Sequence, residues 1–184
     1  LESAAVADSL VRWTDADRGD EDACTESYAA VELRDLLARC PGIAARTITL
    51  EGGDRLPAAG DCIVIGNPNS QPLVRELMKH PPPDSASADA FRIRALRRNG
   101  RTVWVIAGAT RTGALYGTYA LLERLGVRFY GPADSETVFP REPVGMPARI
   151  EMASSPAFDV RGFWAWEPRG NPPAERAFVA AKVR

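Results

Sequence analysis

The sequence predicts an α/β (α+β) domain: a mixed β-sheet with about two main helices packed on it. Three observations lead there. Val103 to Ala107 is an apolar run of strand length, rich in β-branched residues, which suits a strand buried on both faces. Gly108 ends that run and Thr110 is placed to cap a helix, in which Ala114, Thr118, Leu121 and Leu125, flanked by Leu115 and Leu122, share one stripe. Asn99-Gly100, between two strand-like segments, is a strong type I′ hairpin signal.

Taken in order, the chain opens with a weak strand pattern around Val6 to Trp13. Asp15 to Asp22 is acidic and half-matches a calcium loop, with Asp15, Asp17 and Glu26 at the first, third and twelfth positions. Gly19 and Asp20 are swapped relative to the glycine that makes the sharp turn, so these acids read as helix-start residues, favoured there by the macrodipole. A helix follows from Cys24 to Arg39, with Ala30, Leu33, Leu37 and Cys40 on one stripe, and Pro41-Gly42 stops it. Thr47 to Leu50 is a short strand and Cys62 to Gly66 a fully buried one. Asn67 to Ser70 turns the chain into a short helix, Pro72 to Met78, before the exposed loop at Pro81-Pro82-Pro83.

Phe91-Arg92-Ile93-Arg94-Ala95 alternates, which sends Phe91, Ile93 and Ala95 to the core and the arginines to water. In the helix after Gly108, Gly113 and Gly117 stand four apart and let that face approach a sheet closely; Gly126 closes the helix as its C′ residue. Each leucine buried from its stripe contributes roughly 2 kcal/mol. The expected strands lie near 46–50, 62–66, 90–97, 102–107 and 127–130.

Composition narrows the function. With 184 residues, 45% hydrophobic, the chain can bury one ordinary core, and a net charge of −1 gives no global pull toward nucleic acid or anionic membrane. No apolar run reaches membrane-span length, and no signal-peptide pattern opens the chain; its first residue is Leu1, consistent with a missing upstream piece. Cys24, Cys40 and Cys62 show no C-x-x-C spacing, against a zinc site or a disulfide framework, and His80 stands without a partner as a surface residue. No metal is expected. Arg92, Arg94, Arg97, Arg98 and Arg101 form a basic cluster, but without interleaved stacking aromatics they read as a solvated strand face that discourages edge pairing. Gly108 to Gly113 has the P-loop interval, yet Ala114 stands where the phosphate-gripping lysine belongs. Neither nucleotide nor other cofactor is therefore expected.

The same stretch carries a family resemblance. Val105-Ile106-Ala107-Gly108, Gly113-Ala114-Leu115-Tyr116-Gly117-Thr118-Tyr119 and Leu122-Glu123-Arg124-Leu125-Gly126-Val127-Arg128-Phe129-Tyr130 resemble the N-terminal accessory domain of certain glycoside hydrolases. These are the family 20 β-N-acetylhexosaminidases, the α-glucuronidases and uncharacterised relatives of the same layout. Ala29 to Leu33, Leu37 and the strand ending Ile65-Gly66 fit the pattern, and Ser155 to Phe163 resembles the entry into the first strand of a catalytic barrel. The resemblance covers most of residues 24–166.

It implies an accessory domain over residues 1–150 and, over 151–184, a linker with the truncated start of a (β/α)8 barrel. In such barrels the acid and base sit at the ends of later strands, so this chain is expected to lack the catalytic carboxylate pair and to hydrolyse no glycoside. Asp134 and Glu136, and Asp159 and Glu167, read as ordinary surface or turn acids. By the same resemblance Arg161, followed by Gly162, matches a sugar-binding arginine of family 20, although Phe163-Trp164-Ala165-Trp166 lacks the aspartate-containing continuation and favours the uncharacterised relatives. Trp164 and Trp166 can stack on a sugar ring, or equally be barrel core. The implied partner is the catalytic barrel of the same parent chain, outside the cytoplasm. The competing expectation is a stand-alone module that binds carbohydrate or another protein.

Overall fold

The computed structural model describes residues 11, 19–43, 52–80, 87–131 and 133–158. Their order is α1 (Gly19–Leu37), β1 (Cys62–Gly66), α2 (Pro72–Leu77), β2 (Phe91–Arg98), β3 (Arg101–Gly108), α3 (Arg111–Arg124), β4 (Arg128–Phe129), a 3-10 turn (Asp134–Glu136), β5 (Thr137–Val138) and β6 (Glu151–Ser154). A four-stranded mixed sheet has the order β1-β3-β2-β6, with β1 parallel to β3 and the other pairs antiparallel. The fold is α+β, as the sequence predicts.

The hairpin between β2 and β3 turns at Asn99 and Gly100, whose φ values of 49° and 80° are those a type I′ turn needs. Its two strands then pair without interruption from Arg98–Arg101 to Phe91–Gly108. β3 is the central strand, and every residue from Val103 to Ala107 is buried. Its side chains alternate between two apolar layers. On one face Ile106, with Phe91 and Ile93 of β2, meets Leu33, Leu36 and Leu37 of α1 and Leu121 and Leu122 of α3. On the other, Val103, Val105 and Ala107 meet Leu73, Val74 and Leu77 of α2.

α3 begins where the sequence places it. Thr110 is its N-cap and accepts from the Thr112 amide, while Gly126 has φ 99° just past the other end. The two helix glycines are contact points: a Cβ on Gly113 would lie 2.2 Å from the Ala90 carbonyl oxygen, and one on Gly117 2.7 Å from Ile106 Cγ2. The segment after β5 closes the helix side of the core, with Phe139, Val144, Met146 and Ile150 packed against it. Val144 N–H donates to the Pro41 carbonyl at 2.8 Å, and Trp104 Nε1 to that of Pro147 at 2.7 Å.

Several expectations are corrected. α1 extends back to Gly19, ahead of the expected start at Cys24, and Ala29 rather than Ala30 is its fully buried alanine. β1 is half-buried rather than fully buried, because it lies at one end of the described sheet. The 127–130 strand does not join the main sheet but forms a two-stranded ribbon with β5. β6 was not expected as a strand. It pairs with β2, so β2 is an interior strand and Arg92 and Arg94 do not simply face water: Glu151 sits between them, 2.7 Å from Arg92 Nη1 and 2.5 Å from Arg94 Nε. The expected strands at 6–13, apart from residue 11, and 46–50 and the proline loop lie outside the described residues.

Candidate functional site

In an open α/β sheet the place for a ligand is past the carboxyl ends of parallel strands, at the start of the following helix. Here that place lies beyond Gly66 of β1 and Gly108 of β3, and the chain's own side chains occupy it. Asn67, which follows β1, is 1% exposed. Its backbone N–H and its Nδ2 both donate to Glu26 Oε1 at 2.8 Å, and Nδ2 also reaches Asp22 Oδ2 at 3.3 Å. Asn67 Oδ1 in turn accepts from the amides of Asn69 and Ser70, which shapes the Asn-Pro-Asn-Ser turn. Ser70 Oγ lies 2.7 and 2.8 Å from the two oxygens of Glu26.

From the β3 side, Arg111 at the first position of α3 crosses to α1. Its Nη2 lies 2.5 Å from Glu21 Oε2 and its Nη1 3.3 Å from Asp22 Oδ1. Glu21 is fully buried. The first two turns of α1 thus lay three carboxylates across both strand ends. Burial pushes the Glu26 carboxyl above its ordinary value, against the pull of its bonds to Ser70 and Asn67, and Asp22 adds a repulsive push in the same direction. The arrangement is a closed polar lock. It ties α1 to the β1–α2 turn and to the start of α3, and it places no acid and base facing a shared cavity.

The residues singled out in the sequence do not converge here. Arg161, Trp164 and Trp166 lie outside the described residues, as do Asp159 and Glu167. Asp134 pairs with Arg39 at the surface, and Glu136 Oε2 accepts from the Ala133 amide within its own turn. His80 is exposed. The three cysteines are free thiols, and burial raises those of Cys40 and Cys62. Asp15 and Asp17 of the near-calcium loop lie outside the described residues, while Glu26 is committed to Asn67 and Ser70. Among the described residues no group of three or more His, Cys, Asp or Glu side chains could hold a metal ion, and no helix is long and apolar enough to cross a membrane.

Sequence reasoning missed the lock. Asp20, Glu21 and Asp22 do occupy the first turn of α1, as helix-start acids should. What was not visible is that Glu21 and Asp22 also meet an arginine ninety positions along the chain. A weak signal existed: Arg111 follows a glycine turn, where a helix N-terminus gains nothing from a cation.

No curated protein matches the chain. Over residues 16–121 it matches the glycosyl hydrolase family 67 N-terminus, the N-terminal domain of α-glucuronidases. That span holds α1, β1, α2, the β2–β3 hairpin and most of α3, and with it the whole of the lock. The chain belongs to this family, which makes it a glycoside hydrolase accessory domain with its catalytic partner expected in the same polypeptide.

Proposed function

We propose that the domain is non-catalytic and buttresses the catalytic barrel of its own polypeptide. The observation that supports this best is the lock itself. Where an enzyme of this architecture would hold its ligand, Glu21, Asp22, Glu26, Asn67, Ser70 and Arg111 bond to one another instead. A site filled by its own ion pairs holds helices in place and leaves no carboxylate poised for glycosidic chemistry, which needs two of them flanking a bond.

Topology gives the buttress a direction. Ser154, the last residue of β6, pairs with Phe91, and Phe91 pairs with Gly108. The chain therefore leaves the sheet at the same end as the lock, and Phe158, just beyond, is 74% exposed. On this reading the accessory domain comprises residues 1–150 together with β6. The linker and the barrel's first strand follow, with Arg161, Trp164 and Trp166 as its sugar-facing residues.

Incubating the purified 184-residue chain with 4-nitrophenyl glycosides, the α-glucuronide included, tests the proposal. The expected result is no nitrophenol release above buffer. Turnover that co-purifies with the folded chain would overturn it.

A further inference from the structure

The β1–α2 turn closes back on α1 through one side chain, Glu26. The approach is tight: a Cβ on Gly66 would lie 3.2 Å from Glu26 Oε2. Ser70 Oγ sits in the fork of the carboxyl, 2.7 Å from Oε1 and 2.8 Å from Oε2. Both contacts have hydrogen-bond length, yet a serine hydroxyl carries one hydrogen and an ionised carboxylate only accepts. A proton on the carboxyl resolves this, because Ser70 Oγ then accepts from one oxygen and donates to the other. Oε1 already accepts two N–H bonds from Asn67, so Oε2 is the oxygen that carries the proton. Charge favours the same arrangement. Asp22, one turn earlier on α1, shares the Asn67 Nδ2 group with Glu26, while Arg111 bonds to Glu21 and Asp22. Arg75 of α2 turns to the Pro68 carbonyl, 2.8 Å from its Nε. Among the described residues the partners of Glu26 are thus the neutral Asn67 and Ser70. Burial, and with it the Asp22 charge, favours the protonated acid over the opposing pull of the hydrogen bonds. Ser70 is exposed, which opens this proton to exchange with water.

We propose that Glu26 is a proton-operated latch on the β1–α2 turn, closed while its carboxyl shares a proton with Ser70 and loosened when that proton leaves. Ionisation removes the Oε2 donor and sets a second negative charge beside Asp22. β1 and α2 keep their own apolar contacts, with Val64, Leu73 and Val74 in one layer. The opening is therefore local to the turn, where the amides of Asn69 and Ser70 bond to Asn67 Oδ1. The closed turn favours the protonated acid, so opening is least below the ordinary glutamate value. It grows as pH rises through the higher value of the closed turn, by at most about tenfold per pH unit. The latch lies inside the domain and works with or without a barrel beside it.

Two measurements on the full 184-residue chain test the latch. Carboxyl NMR with isotope-labelled glutamate follows the Glu26 proton directly. Hydrogen exchange of the Asn69 and Ser70 amides over the same pH series, expressed as protection relative to an unfolded peptide, follows the turn. Ile93 and Val105 report the sheet alongside. The expected result is a Glu26 midpoint above the ordinary glutamate value, with turn protection falling through the same range and sheet protection changing less. In Glu26→Gln, whose amide donates to Ser70 at every pH, turn protection stays level. A midpoint at or below the ordinary value overturns the proposal, as does turn protection that is constant through the titration. An equal fall in Glu26→Gln overturns it too. Should that variant not fold, the two measurements on the parent decide by themselves.

Discussion

Arg111, the first residue of α3, reaches the fully buried carboxylate of Glu21 in the first turn of α1, with Nη2 and Oε2 2.5 Å apart. The pair is asymmetric, since the Arg111 side chain keeps 23% of its exposure while Glu21 keeps none. Removing the arginine therefore takes a positive charge away from a fully buried carboxylate. Arg111→Ala should cost about 3 kcal/mol of unfolding free energy, the range for breaking a buried pair from one side. Urea denaturation of parent and variant measures it. A loss below about 1 kcal/mol would mean that the pair behaves like a surface ion pair.

The two glycines of α3 should rank by what their missing side chains face. Gly113 lies against the backbone carbonyl of Ala90, which cannot rotate aside, whereas Gly117 lies against the Ile106 side chain. An added methyl at Gly117 forces an overpacked contact costing about 1–3 kcal/mol. At Gly113 it must displace the strand entry itself, so Gly113→Ala should be the worse of the two. Thermal melts of both variants decide the order; equal losses would indicate that α3 shifts as a body.

What could be read from the sequence and what could not divide by distance along the chain. Asn99-Gly100, Thr110, Gly113, Gly117 and Gly126 each act on neighbours or on a helix face, and each took the role its local chemistry prescribes. β6 was hidden because Glu151-Met152-Ala153-Ser154 has almost no apolar alternation; it is a strand because its backbone pairs with β2 from Phe91 to Arg94, with Met152 packed on the core and Glu151 beside Arg92 and Arg94. Glu21 was hidden for the same reason. Its sequence neighbours make it a helix-start acid, and only the fold brings Arg111 to it. For the candidate site the local reading supplied the glycine turn, but it could not show that the protein itself fills the place.

Glu26 gives the lock a pH signature. Its folded-state value is raised, chiefly by burial, so the folded protein favours the protonated form. Its contribution to stability is then fully present below the ordinary glutamate value and is lost as pH rises through the raised one. Glu26→Gln keeps an acceptor for Asn67 and Ser70 but cannot ionise. The stability of the parent minus that of Glu26→Gln should fall as pH rises through this window and level off above it. Chemical denaturation at a series of pH values provides the curve, and a difference that rises with pH would contradict the burial-driven shift.

Trp104 helps to hold the strap of residues 139–150 from inside the sheet. Its indole N–H donates to the Pro147 carbonyl at 2.7 Å, while Val144 N–H reaches Pro41 and Ala95 N–H reaches Ile150. Trp104→Phe keeps most of the buried ring and loses the donor. The cost should be about 1 kcal/mol, the net value of one such bond. Its local effect is more diagnostic. Without the indole anchor the strap opens more often, so amide exchange at Val144 should accelerate while Ile93 and Val105, held by the sheet ladder, lose only what the global change accounts for. Hydrogen exchange resolved by residue separates the two. Uniform acceleration across strap and sheet would make Trp104 a core residue whose bond to Pro147 has no local role.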